Sequence, residues 1–311
     1  MKSFKKILGL DIGGTNIKAG VSVVPPEITE FKSFPTDTSA IREQIASIAK
    51  TFKPDAIGIG IAGLIGNGIV YSSPNLAKIN NTSLKDFLEH KLKIPVTVEN
   101  DANMYAFGEW KHGAGKGSHS MLLLTLGTGV GGGIINDNKL YTGEGFAGEI
   151  GHTTIAPDGA ACECGNYGCL ETFVGSAAIV LKAKQGLMLG IKTSLVKHSK
   201  ITPEVISKEA YKGDKFSLSI IEGVGYYLGI GIANACAIMD PEIVVIGGGV
   251  SKAGKILFNK INDTLEKRLF LLPYTGKNKR KKLTIVPAKL GDEAGVLGSI
   301  TYITDKLNIK H

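Results

Sequence analysis

Short apolar runs that close on glycine turns recur along the whole chain. "KILGLDIGG" and "NIKAGVSVV" read as two strands joined by a turn, with "ITEFKSFPT" as a third. In "TSAIREQIASIAKTF" the apolar residues return at helical spacing after a capping Thr or Ser, and Pro54 ends the pattern. "AIGIGIAG" is a continuous apolar run, as expected of a strand buried on both faces. "SLKDFLEHKLK" predicts a second helix and "PVTVEND" a strand that delivers polar residues at its end. After the glycine-rich "HGAGKGS" the order restarts, because "SMLLLTLGTGVGGGIINDNKLY" repeats strand, glycine turn, strand. Farther on, "SLSIIEGVGYYLGIGIANACAIM" predicts a long buried helix, "EIVVIGGGV" a strand with a third glycine turn, and "DEAGVLGSITYITDKL" a closing helix.

This succession predicts an α/β protein of two similarly built halves around a cleft. The expected division is residues 1–117, completed by the C-terminal helix 293–311, and residues 118–292. A length of 311 residues suits two compact domains, and 43% hydrophobic with 21% charged residues is ordinary for a folded chain. The net charge of +8 is spread as scattered lysine, which reads as solvated surface and not as a nucleic-acid footprint. Its one dense run, "KNKRKK" (Lys277 to Lys282), reads as an exposed loop. The start, "MKSFKKILGLDIGGT", is too short for a signal peptide and is interrupted by Asp11, and no uninterrupted apolar run reaches the roughly 20 residues of a membrane span. A cytoplasmic protein is expected, in which thiols stay reduced and clustered cysteines bind metal.

The three glycine turns, "LGLDIGGTN", "LTLGTGVGGG" and "VVIGGGV", each follow an apolar strand. Backbone N–H groups in such turns form nests for phosphate oxygens, and together they point to a nucleotide. A P-loop spacing is absent. A dinucleotide fingerprint fails because Ile17 to Val24 alternates as a strand. A phosphate-binding hairpin remains, in which Asp11 can reach a magnesium ion and Thr15 a phosphate. In "VENDAN", Asp101 at the end of a strand is the candidate general base for phosphoryl transfer, and Asn100 suits a sugar hydroxyl. Asp101 also reads as the N-cap of the helix "ANMYAFGEW".

His152, Cys162, Cys164 and Cys169 follow the spacing H-x9-C-x-C-x4-C. Three thiolates and one imidazole make a closed tetrahedral zinc set of structural type. Glu149 and Glu171 flank it and suit vicinal sugar hydroxyls.

In this order, "LGLDIGGTNIKAGV", "IAGLIGNGIVYSSPNL", "VENDANMYAFGE", "LTLGTGVGGGII", "GEGFAGEIGH", "CECGNYGCLE", "VVIGGGV" and "LGDEAGVLGS" resemble the ROK family of sugar kinases and repressors over essentially the whole chain. The resemblance implies an actin-like ATPase (ribonuclease H-like) fold whose two domains close over ATP and sugar. It implies Asp101 as base and Asn75, Asn100, Glu149, His152 and Glu171 as sugar contacts, with one His152 nitrogen on zinc and the other on the sugar. Gly13, Gly14, Thr15, Thr128 and Gly129 would cradle phosphates, and Gly247, Gly248 and Gly249 would lie near the adenosine. Ala62-Gly63 stands where relatives often carry Pro-Gly, and Ile79 where a Trp often follows, so both bear on the choice of sugar. The expectation is a homodimeric, ATP-dependent kinase for the 6-hydroxyl of glucose, using Mg²⁺ and structural Zn²⁺, with no nucleic-acid or membrane partner. The alternatives are an N-acetylglucosamine or N-acetylmannosamine kinase and, in another class, a non-catalytic sugar sensor or a transcriptional repressor. Only eight residues precede Gly9, so a helix-turn-helix domain, and with it the repressor reading, is not expected.

Overall fold

A computed structural model describes residues 6–269 and 283–309. In chain order its first elements are β1 (Ile7–Ile12), β2 (Asn16–Ser22), β3 (Glu30–Pro35), α1 (Ile41–Phe52), β4 (Ala56–Ile61), β5 (Leu64–Gly66), β6 (Ile69–Ser72), β7 (Thr82–Ser83), α2 (Leu84–Leu92), β8 (Val96–Asn100) and α3 (Asp101–His112). Then come β9 (Met121–Leu126), β10 (Val130–Asn136), β11 (Lys139–Tyr141), α4 (Glu171–Val174), α5 (Ser176–Met188), α6 (Pro203–Tyr211), α7 (Lys215–Met239), β12 (Ile243–Gly247), α8 (Lys255–Arg268), β13 (Thr284–Pro287) and α9 (Ala294–Lys306). The basic run Lys277 to Lys282 lies outside the described residues.

Two five-stranded sheets share one plan. The first has the order β3-β2-β1-β4-β8 and the second β11-β10-β9-β12-β13. In the first, β1, β2 and β3 form an antiparallel meander, while β4 and β8 run parallel to β1. In the second, β10 and β11 are antiparallel and β12 and β13 parallel. The repeat legible in the glycine turns is therefore a repeat of topology.

By contacts the described residues fall into two units, one within Met1–Met121, Gly133–Gly148 and Lys289–His311, the other within Leu122–Gly132 and Glu149–Ala288. In the first unit, β1, Asp11 apart, and β4 are apolar because helices cover both faces of the sheet. On one face Leu8, Leu10, Ile57 and Ile59 pack with Ile41, Ile45 and Phe52 of α1 and with Leu84 and Leu88 of α2. On the other, Ile7 and Ala56 meet Val296, Ile300 and Ile303 of α9. Gly58 makes that approach possible, since a Cβ there would run into the Ser299 carbonyl. Two caps differ from expectation. The residue at the start of α1 is Ala40, with no side-chain cap, because the Asp37 carboxylate accepts from Ser39 and Ala40 and shapes a turn ahead of the helix. Asn100, not Asp101, caps α3: its Oδ1 accepts from the Asn103 N–H at 3.0 Å.

In the second unit α7 is long and apolar enough to cross a membrane by length and composition, but 61% of its most apolar window is buried within the protein. It packs with α6 and α8 as a core helix.

Candidate active site

In the first unit the turn between β1 and β2 is closed by the Gly13 N–H donating to the Asn16 carbonyl (3.0 Å). Thr36, which the sequence does not mark, braces this turn from β3's end. Its N–H donates to the Thr15 carbonyl (2.9 Å) and its hydroxyl to the Gly13 carbonyl (2.8 Å). Asn75 packs directly on Gly14, where a Cβ would stand 2.7 Å from the Asn75 Cβ. Thr15 is exposed. The structure thus brings Gly13, Gly14, Thr15 and Asn75 together.

Asp11, on β1 just before the turn, carries a carboxyl pushed up to about 6. Burial is the main cause and the Asp101 charge adds to it, while Lys18 opposes and Asp292 adds a little. Two carboxylates, from the ends of strands that flank β4, thus share one electrostatic environment. Such a pair suits a site that receives a cation, whose charge would offset the repulsion. Asp101 itself is freed from the capping role; its Oδ1 accepts the Ala102 N–H at 2.9 Å. Asn100 is more committed than its sequence suggests. Besides capping α3, its Nδ2 donates to the Gly63 carbonyl (2.9 Å), leaving one N–H and one lone pair for a ligand.

In the second unit the turn between β9 and β10 holds Thr128 and Gly129, with the Gly127 N–H donating to the Gly129 carbonyl (3.0 Å). Glu171, at the start of α4, accepts the Val130 N–H on Oε2 (2.9 Å). A Cβ on Gly129 would meet that carboxylate, so any side chain there would have to displace Glu171. The turn and Glu171 are built against each other, a link that no spacing in the sequence reveals.

His152, Cys162, Cys164 and Cys169 offer four ligand atoms within 4.8 Å of one another. Tight turns gather them: the Cys162 N–H donates to the Asn166 carbonyl (2.8 Å) and the Gly165 N–H to the Cys162 carbonyl (3.0 Å). Zinc bond lengths in a regular tetrahedron imply edges of about 3.8 Å between sulfurs and about 3.6 Å between sulfur and nitrogen. The structure has 3.7 Å between the sulfurs of Cys164 and Cys169, and 3.6 Å between Cys162 Sγ and His152 Nδ1. Burial and the neighbouring sulfurs push the Cys169 thiol up to about 12, so three thiolates need a cation among them. The donor set fits zinc.

With Nδ1 turned to the cysteines, His152 Nε2 lies 3.9 Å from Glu149 Oε2, beyond direct hydrogen bonding. Burial, with a smaller contribution from Glu171, raises the Glu149 carboxyl, and His152 opposes. Glu149, His152 and Glu171 are thus brought together at the cysteine knot. Gly247 ends β12 and Gly248 and Gly249 follow it; of the three, Gly249 lines a cavity of about 200 Å³ together with Pro203, Glu204, Tyr211, Ile221 and Lys252.

The sequence signature of the ROK family spans residues 7–306. The chain belongs to the ROK family. A glucokinase of Halalkalibacterium halodurans is 39% identical over 94% of this chain and 92% of its own. A solved ROK glucokinase of Streptomyces griseus, in complex with glucose and AMPPNP, superposes with a TM-score of 0.80 at 33% identity, covering 96% of this chain and 98% of that one. The xylose repressor of Caldicellulosiruptor bescii is also similar, 34% identical over 97% of this chain but only 79% of its own length. The two like-ordered sheets are the actin-like ATPase architecture of ROK family structures.

Proposed function

We infer that this protein is an ATP-dependent sugar kinase that phosphorylates glucose, at its 6-hydroxyl. The observation that carries the reading is the pairing of Asp101 with Asp11 beside a glycine phosphate turn, in a chain 39% identical to a glucokinase.

Asp101 accepts the proton of the 6-hydroxyl as its oxygen bonds to the γ-phosphorus and the bond to the leaving ADP oxygen breaks. With the Gly13 N–H spent on closing its turn, the N–H groups of Gly14 and Thr15 and the Thr15 hydroxyl, and the backbone and hydroxyl of Thr128 with Gly129, hold phosphate oxygens. Asp11 would hold Mg²⁺, which supplies charge neutralisation on the phosphates when bound. Glu149, His152 through Nε2, Glu171, Asn75 and the remaining valences of Asn100 bind sugar hydroxyls. Zn²⁺ on His152 Nδ1, Cys162, Cys164 and Cys169 would be structural, fixing the three sugar-binding groups of the knot without entering the reaction. The cavity beside Gly249 would take the adenosine. We propose a homodimer, for which Met188 and Leu189, 83% and 80% exposed at the end of α5, are candidate contact residues. The proposed location of the reaction is the cytoplasm.

Asp101→Asn tests the reading. Turnover should fall by about 10²-fold or more, the low end for loss of a general base, while glucose affinity changes little. Near-wild-type turnover in that variant refutes the assignment.

A further inference from the structure

The junction of β8 and α3 carries a closed set of hydrogen bonds around a carboxylate with no part in the reaction above. Glu99 is 8% exposed and Asn103 is 2% exposed. Glu99 Oε1 accepts from the Asn100 backbone N–H (2.9 Å) and from Asn103 Nδ2 (3.1 Å). The Asn103 N–H returns to Asn100 Oδ1 (3.0 Å), and Asn100 Nδ2 reaches the Gly63 carbonyl (2.9 Å). Asp101 stands in the middle of this set. The other Asn103 amide atom, Oδ1, is buried without a hydrogen-bond partner, so the orientation of that amide is set by Glu99.

A buried glutamate is costly, and burial indeed raises this carboxyl, against the two N–H donors and Lys306. An apolar residue would continue the strand at lower cost. What the carboxylate supplies instead is one acceptor atom that orders both the backbone before Asp101 and the side chain two residues after it. A general base has to be held within a fraction of an ångström of its working position, and a misplacement of about 1 Å costs on the order of 10²-fold in rate.

We propose that Glu99 is a positioning residue for phosphoryl transfer, which fixes the Asn100–Asn103 junction and so aims Asp101 at the sugar hydroxyl. This rests on the reading of Asp101 as base. Glu99 also lines a cavity of about 680 Å³ in the first unit, together with Thr97, Tyr302 and Lys306. The cavity lets a conservative variant be accommodated: Glu99→Gln retains Oε1 as acceptor and can turn its amide nitrogen toward open space.

The test is kinetics and calorimetric glucose binding on Glu99→Leu, Glu99→Gln, Asn103→Leu and Asp101→Asn, each normalised to the folded fraction. For Glu99→Leu we expect kcat to fall about 30-fold or more with glucose Kd within about threefold, and for Glu99→Gln both within about threefold of wild type. Asn103→Leu should show the same split, a loss in kcat at steady Kd, and it carries the test if Glu99→Leu fails to fold. Wild-type kcat in the leucine variants, an equal loss in Glu99→Gln, or a Kd that rises in step with the loss of kcat would each overturn the proposal. Asp101→Asn separates the two ideas. If it is inactive while Glu99→Leu is fully active, only the role of Glu99 fails; if it is active, the base assignment fails and takes this role with it.

Discussion

Asp11 and Asp101 show how two carboxylates acquire different roles from their surroundings. Asp11 is held up to about 6 by burial and by the Asp101 charge, so its ionised form strains the folded state. A folded pKa above the ordinary 3.8 means that the folded state binds more protons than the unfolded one between about pH 4 and about pH 6. Stability is therefore lost as pH rises through that window and stays reduced above it. Asp11→Asn should raise stability at pH 7 by about 1–3 kcal/mol, a gain that vanishes near pH 4, while phosphoryl transfer falls by at least about 10²-fold. Urea melts at the two pH values check the sign, and a variant less stable at pH 7 would contradict it. At this scale the sequence marked Asp11 and Asp101 through their places at strand ends. It did not show that Asn100 takes the cap and leaves Asp101 out of it, because both residues are good N-caps and only the backbone angles at 100 decide between them. Thr36 was invisible, being one of several hydroxyl residues in "FPTDTSA" with no periodicity to single it out.

At the scale of elements, the glycine turn of β9–β10 and the cysteine knot form one device through Glu171, which accepts from Val130 on one side and lies 3.6 Å from Cys162 Sγ on the other. Gly129→Ala should displace the Glu171 carboxylate and weaken glucose binding about tenfold or more, roughly the loss of one charged hydrogen bond; unchanged glucose affinity would separate Glu171 from the sugar. Stripping the metal with a chelator should release about one zinc per chain and abolish glucose binding, since the ligands that order the knot would no longer hold it. Metal-free protein with full activity would refute the structural role. Strands followed by glycine turns were easy to read because a continuous apolar run cannot be placed elsewhere. Helix α8 was not, because only Leu257, Ile261, Thr264 and Leu265 are buried along it, too narrow a stripe among charged residues to stand out.

At the scale of the whole molecule, the repeat in the sequence corresponds to two sheets of the same strand order, which is why two separated glycine hairpins could be read as equivalent. The extent of each unit was less legible. Gly133–Gly148 count with the first unit, and the reason is packing: Gly133 lies so close to Ala102 and Ala106 of α3 that no side chain fits. Such a contact depends on residues some thirty positions away and leaves no local pattern. Glucose phosphorylation is checked by ADP release, coupled to a reporter, with glucose, fructose, mannose, allose, N-acetylglucosamine and N-acetylmannosamine. Glucose should give the highest kcat/KM and a 6-phosphate product. No sugar-dependent ADP release with any of them, or preference for an N-acetylated sugar, would contradict it.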